Sequence, residues 1–147
     1  GTTTLAMIPF IHNKPITVVT NGILQATALQ ESDIITYLIG GRIKKSTNAL
    51  IGSQAINNIA NYRFDKCFLG MNGIHPDWGF STPDPEEAIL KRSAIELSKE
   101  AFVLADYSKF DETSFARVAE LKQATIITAG IDLTKIAKYK KNTTIKV

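Results

Sequence analysis

Cysteine is nearly absent from this chain. Cys67 is the single one among 147 residues, so no internal disulfide can form and a disulfide-stapled scaffold is excluded. Long apolar runs are missing too: Ile16-Thr-Val-Val-Thr20 and Thr36-Tyr-Leu-Ile39 are far too short to cross a bilayer. With no visible signal peptide, a cytoplasmic setting without membrane contact is the expectation. Charge of one sign is lacking as well, since 17 Lys and Arg stand against 14 Asp and Glu. The small basic groups Lys44-Lys45, Lys91-Arg92 and Lys138, Lys140, Lys141 are scattered without interleaved aromatics, which makes solvated surface rather than a nucleic-acid groove. His12 and His75 are the only histidines, and with Cys67 inside an apolar stretch no metal-ligand spacing exists. Neither a Gly-x-Ser-x-Gly elbow nor a phosphate loop ending in Gly-Lys-Ser/Thr occurs. No cofactor is expected.

What is present is a globular composition, 44% hydrophobic and 21% charged, long enough to bury a sizeable core in one domain. The pattern is α/β. A short helix is expected from Thr4 to Ile11, then a β-branched strand from Ile16 to Thr20 that ends on Asn21-Gly22. A helix over Ile23 to Leu29 and a strand over Ile34 to Ile39 follow, closed by Gly40-Gly41. Arg42 to Leu50 reads as a turn and a short strand, Gln54 to Ala60 as a helix, and Lys66 to Leu69 as a strand leaving through Gly70-Met71-Asn72-Gly73. A loop is expected from Ile74 to Pro85. Asp84 then caps the longest helix, with Pro85 at its first position and Glu86 and Glu87 where the dipole favours carboxylates. Its apolar stripe reads Leu90, Ala94, Leu97, Ala101. Ala101 to Ala105, Thr125 to Ala129 and a short piece from Thr143 to Val147 complete the strands. Continuous apolar strands between helices indicate an open, mostly parallel sheet covered by helices.

In such a sheet ligands bind beyond the carboxyl ends of the strands, and the polar residues of this chain concentrate there. Gly1, Thr2, Thr3 and Thr4 open a helix with free backbone N–H groups and three hydroxyls, a set suited to phosphate oxygens; an ordinary threonine cap is the plainer reading. Asn21 and Asn72 have amides able to hold sugar hydroxyls by donor and acceptor together, although Asn21-Gly22, Gly40-Gly41 and Asn72-Gly73 are equally turn pairs. Glu87 and Lys91, four residues apart, form a helix-surface pair or a carboxylate and a cation facing a sugar phosphate. Lys109 follows a strand through Asp106-Tyr107-Ser108 and is placed to act as an anion clamp. Trp78, Phe80, Phe110 and Phe115 are read first as packing, with the pocket mouth or a subunit contact as the alternatives.

Gly1-Thr-Thr-Thr4, Val19-Thr-Asn21, Leu38-Ile-Gly-Gly-Arg42, Phe64 through Ile74, Gly79-Phe-Ser-Thr-Pro83, Pro85-Glu-Glu-Ala88 with Lys91-Arg92, and Ala105-Asp-Tyr-Ser-Lys-Phe110, taken in this order, resemble the effector-binding domain of the DeoR family of bacterial repressors. The resemblance implies a fold similar to ribose-5-phosphate isomerase and glucosamine-6-phosphate deaminase, the NagB/RpiA/CoA transferase-like class. It implies a phosphorylated sugar as inducer, a homo-oligomer, and operator DNA as a partner reached through an N-terminal winged helix-turn-helix domain. The abrupt Gly1 start is then expected to be a cut, with residues 1–147 one effector domain lacking that DNA-binding part. By position in the fold, Gly1 to Thr4 match the phosphate loop, Asn21, Gly41, Asn72 and Gly73 border the sugar, and Glu87, Lys91 and Lys109 are the charged members of the pocket. Whether Glu86 or Glu87 faces the ligand is open.

Two competing readings stand beside the sensor. An isomerase or deaminase needs a base to abstract a proton next to a carbonyl. Where the related isomerases have acidic residues, the exit Leu69-Gly-Met-Asn-Gly73 offers Asn72, which has no useful basicity; only Glu87 remains as a lone base. A pure interaction module explains the sheet but leaves the asparagines, glycines and lysines without a task.

Overall fold

A computed structural model describes residues 2–147; Gly1 lies outside the described residues. The chain divides into two compact units, Gly1–Asn61 and Tyr62–Val147.

The first unit runs α1 (Thr2–Leu5), α2 (Ile8–Ile11), β1 (Thr17–Thr20), α3 (Ile23–Leu29), β2 (Ile35–Leu38), β3 (Arg42–Lys44), β4 (Ala49–Ile51) and α4 (Ser53–Ile59). The single helix expected over Thr4 to Ile11 is two helices. Pro9 has no N–H to give and sits in the first turn of α2, the position where a helix tolerates it. β1 and β2 pair in parallel from Thr17↔Ile35 to Thr20↔Leu38. β3 and β4 form an antiparallel hairpin where a turn and one strand were expected. Ile8, Leu29 and Ile34 make a small buried cluster, with Leu5, Ile11 and Val18 packed against it.

The second unit contains β5 (Phe64–Gly70), β6 (Gly73–His75), β7 (Gly79–Thr82), α5 (Pro85–Glu96), β8 (Ser98–Leu104), β9 (Ala116–Ala119), β10 (Thr125–Ile127), α6 (Leu133–Ala137) and β11 (Ile145–Lys146). Its main sheet has the order β11-β10-β8-β5, and every pairing in it is parallel. In register, Leu69 lies beside Val103 and Val103 beside Ile126, so one face of the sheet bears a row of apolar side chains. Val103 and Ile126 are buried in a core with Ile74, Phe80, Ala88, Ile95, Phe110 and Tyr139.

α5 obeys its sequence signals. Asp84 accepts a hydrogen bond from the Glu86 N–H at 2.8 Å, Pro85 occupies the first turn, and Glu86 and Glu87 follow it. The helix stops earlier than its apolar stripe suggested. Leu97 is the C-cap, and Ala101 belongs to β8, because after the cap the chain turns and the same apolar run pairs with β5. The expected loop from Ile74 to Pro85 contains β6 and β7, which join β9 in a three-stranded antiparallel sheet. No described helix is long and apolar enough to cross a membrane.

Candidate functional site

In the second unit, the parallel register puts Gly70 beside Leu104 and Leu104 beside Ile127, so β5, β8 and β10 end level with one another. Lys91 reaches this carboxyl edge from the second turn of α5, and its Nζ donates to the Gly70 carbonyl at 2.9 Å. The last carbonyl of a parallel strand has no next residue in the ladder to satisfy it, so a lysine there both closes the strand and sets a positive charge at its mouth. Glu87, one turn earlier on the same face of α5, is partly buried whereas Glu86 is exposed; burial favours Glu87 as the inward carboxylate.

Asn72 leaves the same strand. Its backbone N–H donates to Ser81 O at 3.2 Å, and its side-chain Oδ1 accepts from the buried Thr82 hydroxyl at 2.9 Å. The oxygen is thereby fixed by β7 and the amide NH2 directed away from it, as a donor pair on an exposed residue. Gly73 has a packing reason for being glycine: a Cβ would stand 2.7 Å from both Glu112 O and Ser81 Oγ. β8 leaves through Asp106, which accepts from the Ser108 N–H at 2.8 Å and also from the Ser108 hydroxyl. These bonds hold its carboxyl below the usual range, the hydroxyl contributing most, and shape the single 3-10 turn Tyr107–Lys109 that presents the half-buried Lys109.

That turn is anchored by residues the sequence reading passed over. Phe110 packs edge-on against Tyr139, ring centres 5.1 Å apart, and Tyr139 is fully buried. Its hydroxyl lies 2.6 Å from Asp111 Oδ1 and 3.0 Å from Ile74 O, and it accepts from the Asp111 N–H at 2.8 Å. Lys138 sits 2.7 Å from Asp111 Oδ1 and Lys135 3.7 Å from Oδ2. The hydrogen bond from Lys138, then that from Tyr139, lower the Asp111 pKa, while burial and then Asp111 raise that of Tyr139. Asp111 holds a left-handed φ of 67°, a conformation that aspartate tolerates when its side chain is locally bonded. α6 and the residues after it thus clamp the segment that follows Lys109. Lys138 and Tyr139 were hidden in a stretch that read as a solvated basic group.

In the first unit the expected residues are tied into local structure. Thr2 and Thr3 are exposed and Thr4 partly buried, and Thr4 Oγ1 accepts from Gln25 Nε2 on α3 at 3.1 Å. α1 has only four residues, so its dipole contributes little to any anion affinity. Asn21 donates through Nδ2 to Leu50 O at 3.2 Å and accepts the Leu50 N–H at 2.8 Å, joining the exit of β1 to β4. Gly41 has φ 148°, and a Cβ there would meet Ile51 O at 2.6 Å. Gly1 is outside the described residues.

A cleft of about 480 Å³ opens at the opposite, amino ends of β8 and β10, where Lys99, Glu100, Lys122, Gln123 and Lys140 line it. All five are exposed, with Lys99 3.5 Å from Asp65 and Lys122 3.2 Å from Glu120. This is solvated surface on which Lys99 and Lys122 already face carboxylates, at the edge opposite the one where open α/β sheets bind ligands. Among the described residues no group of His, Cys, Asp and Glu could hold a metal ion.

An open parallel sheet with cations, an amide and a capped turn at its carboxyl edge is the arrangement of an α/β ligand-binding domain. Residues 1–130 match the DeoR C terminal sensor domain, and the chain belongs to that family; it is a sensor domain rather than a catalytic one. Across its whole length it is 49% identical to the HTH-type transcriptional regulator FruR of Bacillus subtilis (strain 168), covering 59% of that protein. It is 34% identical to the HTH-type transcriptional repressor GlcR of the same organism, over 86% of this chain and 49% of that one. A putative aga operon transcriptional repressor of Escherichia coli O157:H7 is 31% identical over 86% of this chain and 48% of its own length. The chain therefore spans roughly half to three fifths of the curated relatives it matches.

Proposed function

We propose that this chain is the effector-sensing part of a sugar-responsive transcription repressor and that its effector is a phosphorylated sugar. The observation that carries this reading is the Lys91 ammonium on the Gly70 carbonyl beside Asn72, at the carboxyl edge of the parallel sheet. A cation and an oriented amide donor pair suit an anionic, hydroxyl-rich ligand. Lys109, presented by the Asp106-capped turn, adds a second cation at the exit of the neighbouring strand, and Glu87 supplies an acceptor for sugar hydroxyls. In the first unit, taken by itself, Thr2, Thr3 and Thr4 are proposed as an anion contact and Asn21 and Gly41 as hydroxyl contacts; in the second, Gly73 serves chiefly to let Asn72 approach.

Two of the similar proteins are named as repressors, which supports a regulatory output. The output proposed is release of operator DNA by the longer protein, acting as a homo-oligomer. For that, the effector must bind the DNA-released state better than the DNA-competent state. Binding alone is enough, since the domain has complementarity to a ground state to offer and no base is needed.

A thermal-shift screen tests the reading with tagatose 6-phosphate, fructose 6-phosphate, fructose 1-phosphate, glucose 6-phosphate, glycerol 3-phosphate and inorganic phosphate. A ligand at a hundred times its Kd stabilises the native state by about 2.7 kcal/mol, so one phosphorylated sugar is expected to raise the melting temperature by several degrees, and its unphosphorylated parent is not. The same ligand should weaken operator binding by the full-length protein. No shift with any phosphorylated sugar contradicts the proposal.

A further inference from the structure

Thr128 directly follows β10 and is 6% exposed, yet its hydroxyl oxygen is buried without a hydrogen-bond partner. Its N–H donates to Lys146 O at 2.9 Å, and the carbonyl of the preceding Ile127 accepts from the Ala105 N–H at 3.1 Å. The paired register ends at Ile127, Leu104 and Gly70; Thr128, Ala105 and Met71 follow directly, two residues on from Ile126, Val103 and Leu69, and the alternation of side chains along a strand puts them toward the same face. Met71 and Ala105 are buried in the core. Thr128 therefore follows that face at the same carboxyl edge where Lys91 of α5 meets the end of β5. Ala129 and Gly130, the next two residues, are exposed, and nothing stands within 4 Å of where a Gly130 side chain would be.

A valine fills the same volume without a polar atom. A hydroxyl buried without a partner costs about 1–3 kcal/mol, and such a group in a native protein calls for a ligand or water that satisfies it. β10 and β5 are separated by β8 alone, so Thr128 and the Gly70 carbonyl that holds Lys91 are two strand spacings apart, about 10 Å. That is the span of a hexose phosphate, and more than glycerol 3-phosphate covers. Resting on the function proposed above, we infer that Thr128 is a specificity-determining residue: its hydroxyl bonds a sugar hydroxyl at the far end of a hexose-sized phosphate whose phosphate end lies toward Lys91.

The test is calorimetric titration of the wild-type protein, Thr128→Val and Thr128→Ser with the six compounds of the screen. The hexose phosphate bound by wild type should bind Thr128→Val about ten-fold more weakly and regain affinity in Thr128→Ser. Glycerol 3-phosphate and inorganic phosphate should bind wild type and Thr128→Val alike, and unliganded Thr128→Val should melt no lower than wild type. Equal hexose phosphate affinity in wild type and Thr128→Val overturns the assignment while leaving the sensor reading intact. So does a lowered melting temperature with no rescue by serine, which marks a structural hydroxyl. A wild-type protein that binds none of the six overturns both.

Discussion

The two units spend their apolar residues differently. The second builds one extended core in which Ile74, Phe80, Val103, Ile126 and Tyr139 are shielded from solvent altogether. The first buries the Ile8, Leu29 and Ile34 cluster and, besides it, Ile39, Leu50, Ile51, Ala55 and Ile59, yet it leaves Phe10 81%, Ile35 61% and Tyr37 48% exposed. Its strands are three or four residues long against seven in β5 and β8. Local stability follows buried apolar contact, so the second unit, with the longer strands and the larger shared core, is expected to open at higher cost than the first. For a sensor this division is useful: the edge bearing Lys91, Asn72 and Thr128 stays pre-formed, while the more loosely packed segments are free to differ between states.

The largest effect that sharpens this comparison is on the core. Phe80→Ala removes a fully buried ring and should cost about 3–5 kcal/mol, whereas Ile35→Ala, on an exposed strand face, should cost less than about 1 kcal/mol. Denaturant unfolding of both variants checks it, and comparable losses would mean that the units do not differ in packing as described.

Next in size is the clamp behind Lys109. Tyr139→Phe keeps the ring against Phe110 but removes the hydroxyl shared by Asp111 Oδ1, the Asp111 N–H and Ile74 O; the N–H keeps its bond to Ile74 O and Oδ1 keeps Lys138, so the loss is about 0.5–1.5 kcal/mol near neutral pH. Because the Asp111 pKa is lowered on folding, first by Lys138 and then by Tyr139, its contribution is complete above the ordinary aspartate range, about pH 4, and is lost as pH falls through the folded value. Wild type should therefore lose stability toward low pH more steeply than Asp111→Asn, as read from melting temperatures between neutral pH and about pH 3. Parallel curves would remove Asp111 from the account.

The parallel sheet and α5 were readable because their signals are local: β-branched runs bounded by glycine, and an Asp-Pro-Glu-Glu start whose cap bond forms as expected. β6, β7 and β9 were not readable. Each has three or four residues, too few to display alternation, and their stability comes from a pairing such as Phe80↔Ala119 that only the folded chain brings about. The stripe through Leu97 and Ala101 misled because one apolar run served first a helix end and then a strand. At the site, Lys91 and Asn72 stood out as polar residues at strand exits. Thr128 did not, being one threonine inside the apolar strand read from Thr125 to Ala129, and only its unsatisfied hydroxyl distinguishes it. Tyr139, among Lys138, Lys140 and Lys141, had the sequence surroundings of a surface residue and the environment of a core one.

The carboxyl edge of the second unit is the central claim, and the lysines at its two ends of the sheet allow it to be tested directly. Isothermal titration with the phosphorylated sugar found by the screen, comparing wild type, Lys91→Met at the carboxyl edge and Lys99→Met at the amino-edge cleft, should show a loss of about ten-fold or more for Lys91→Met and no change for Lys99→Met. Unchanged affinity in Lys91→Met, with affinity lost in Lys99→Met, would contradict the account and move the site to the other end of the strands.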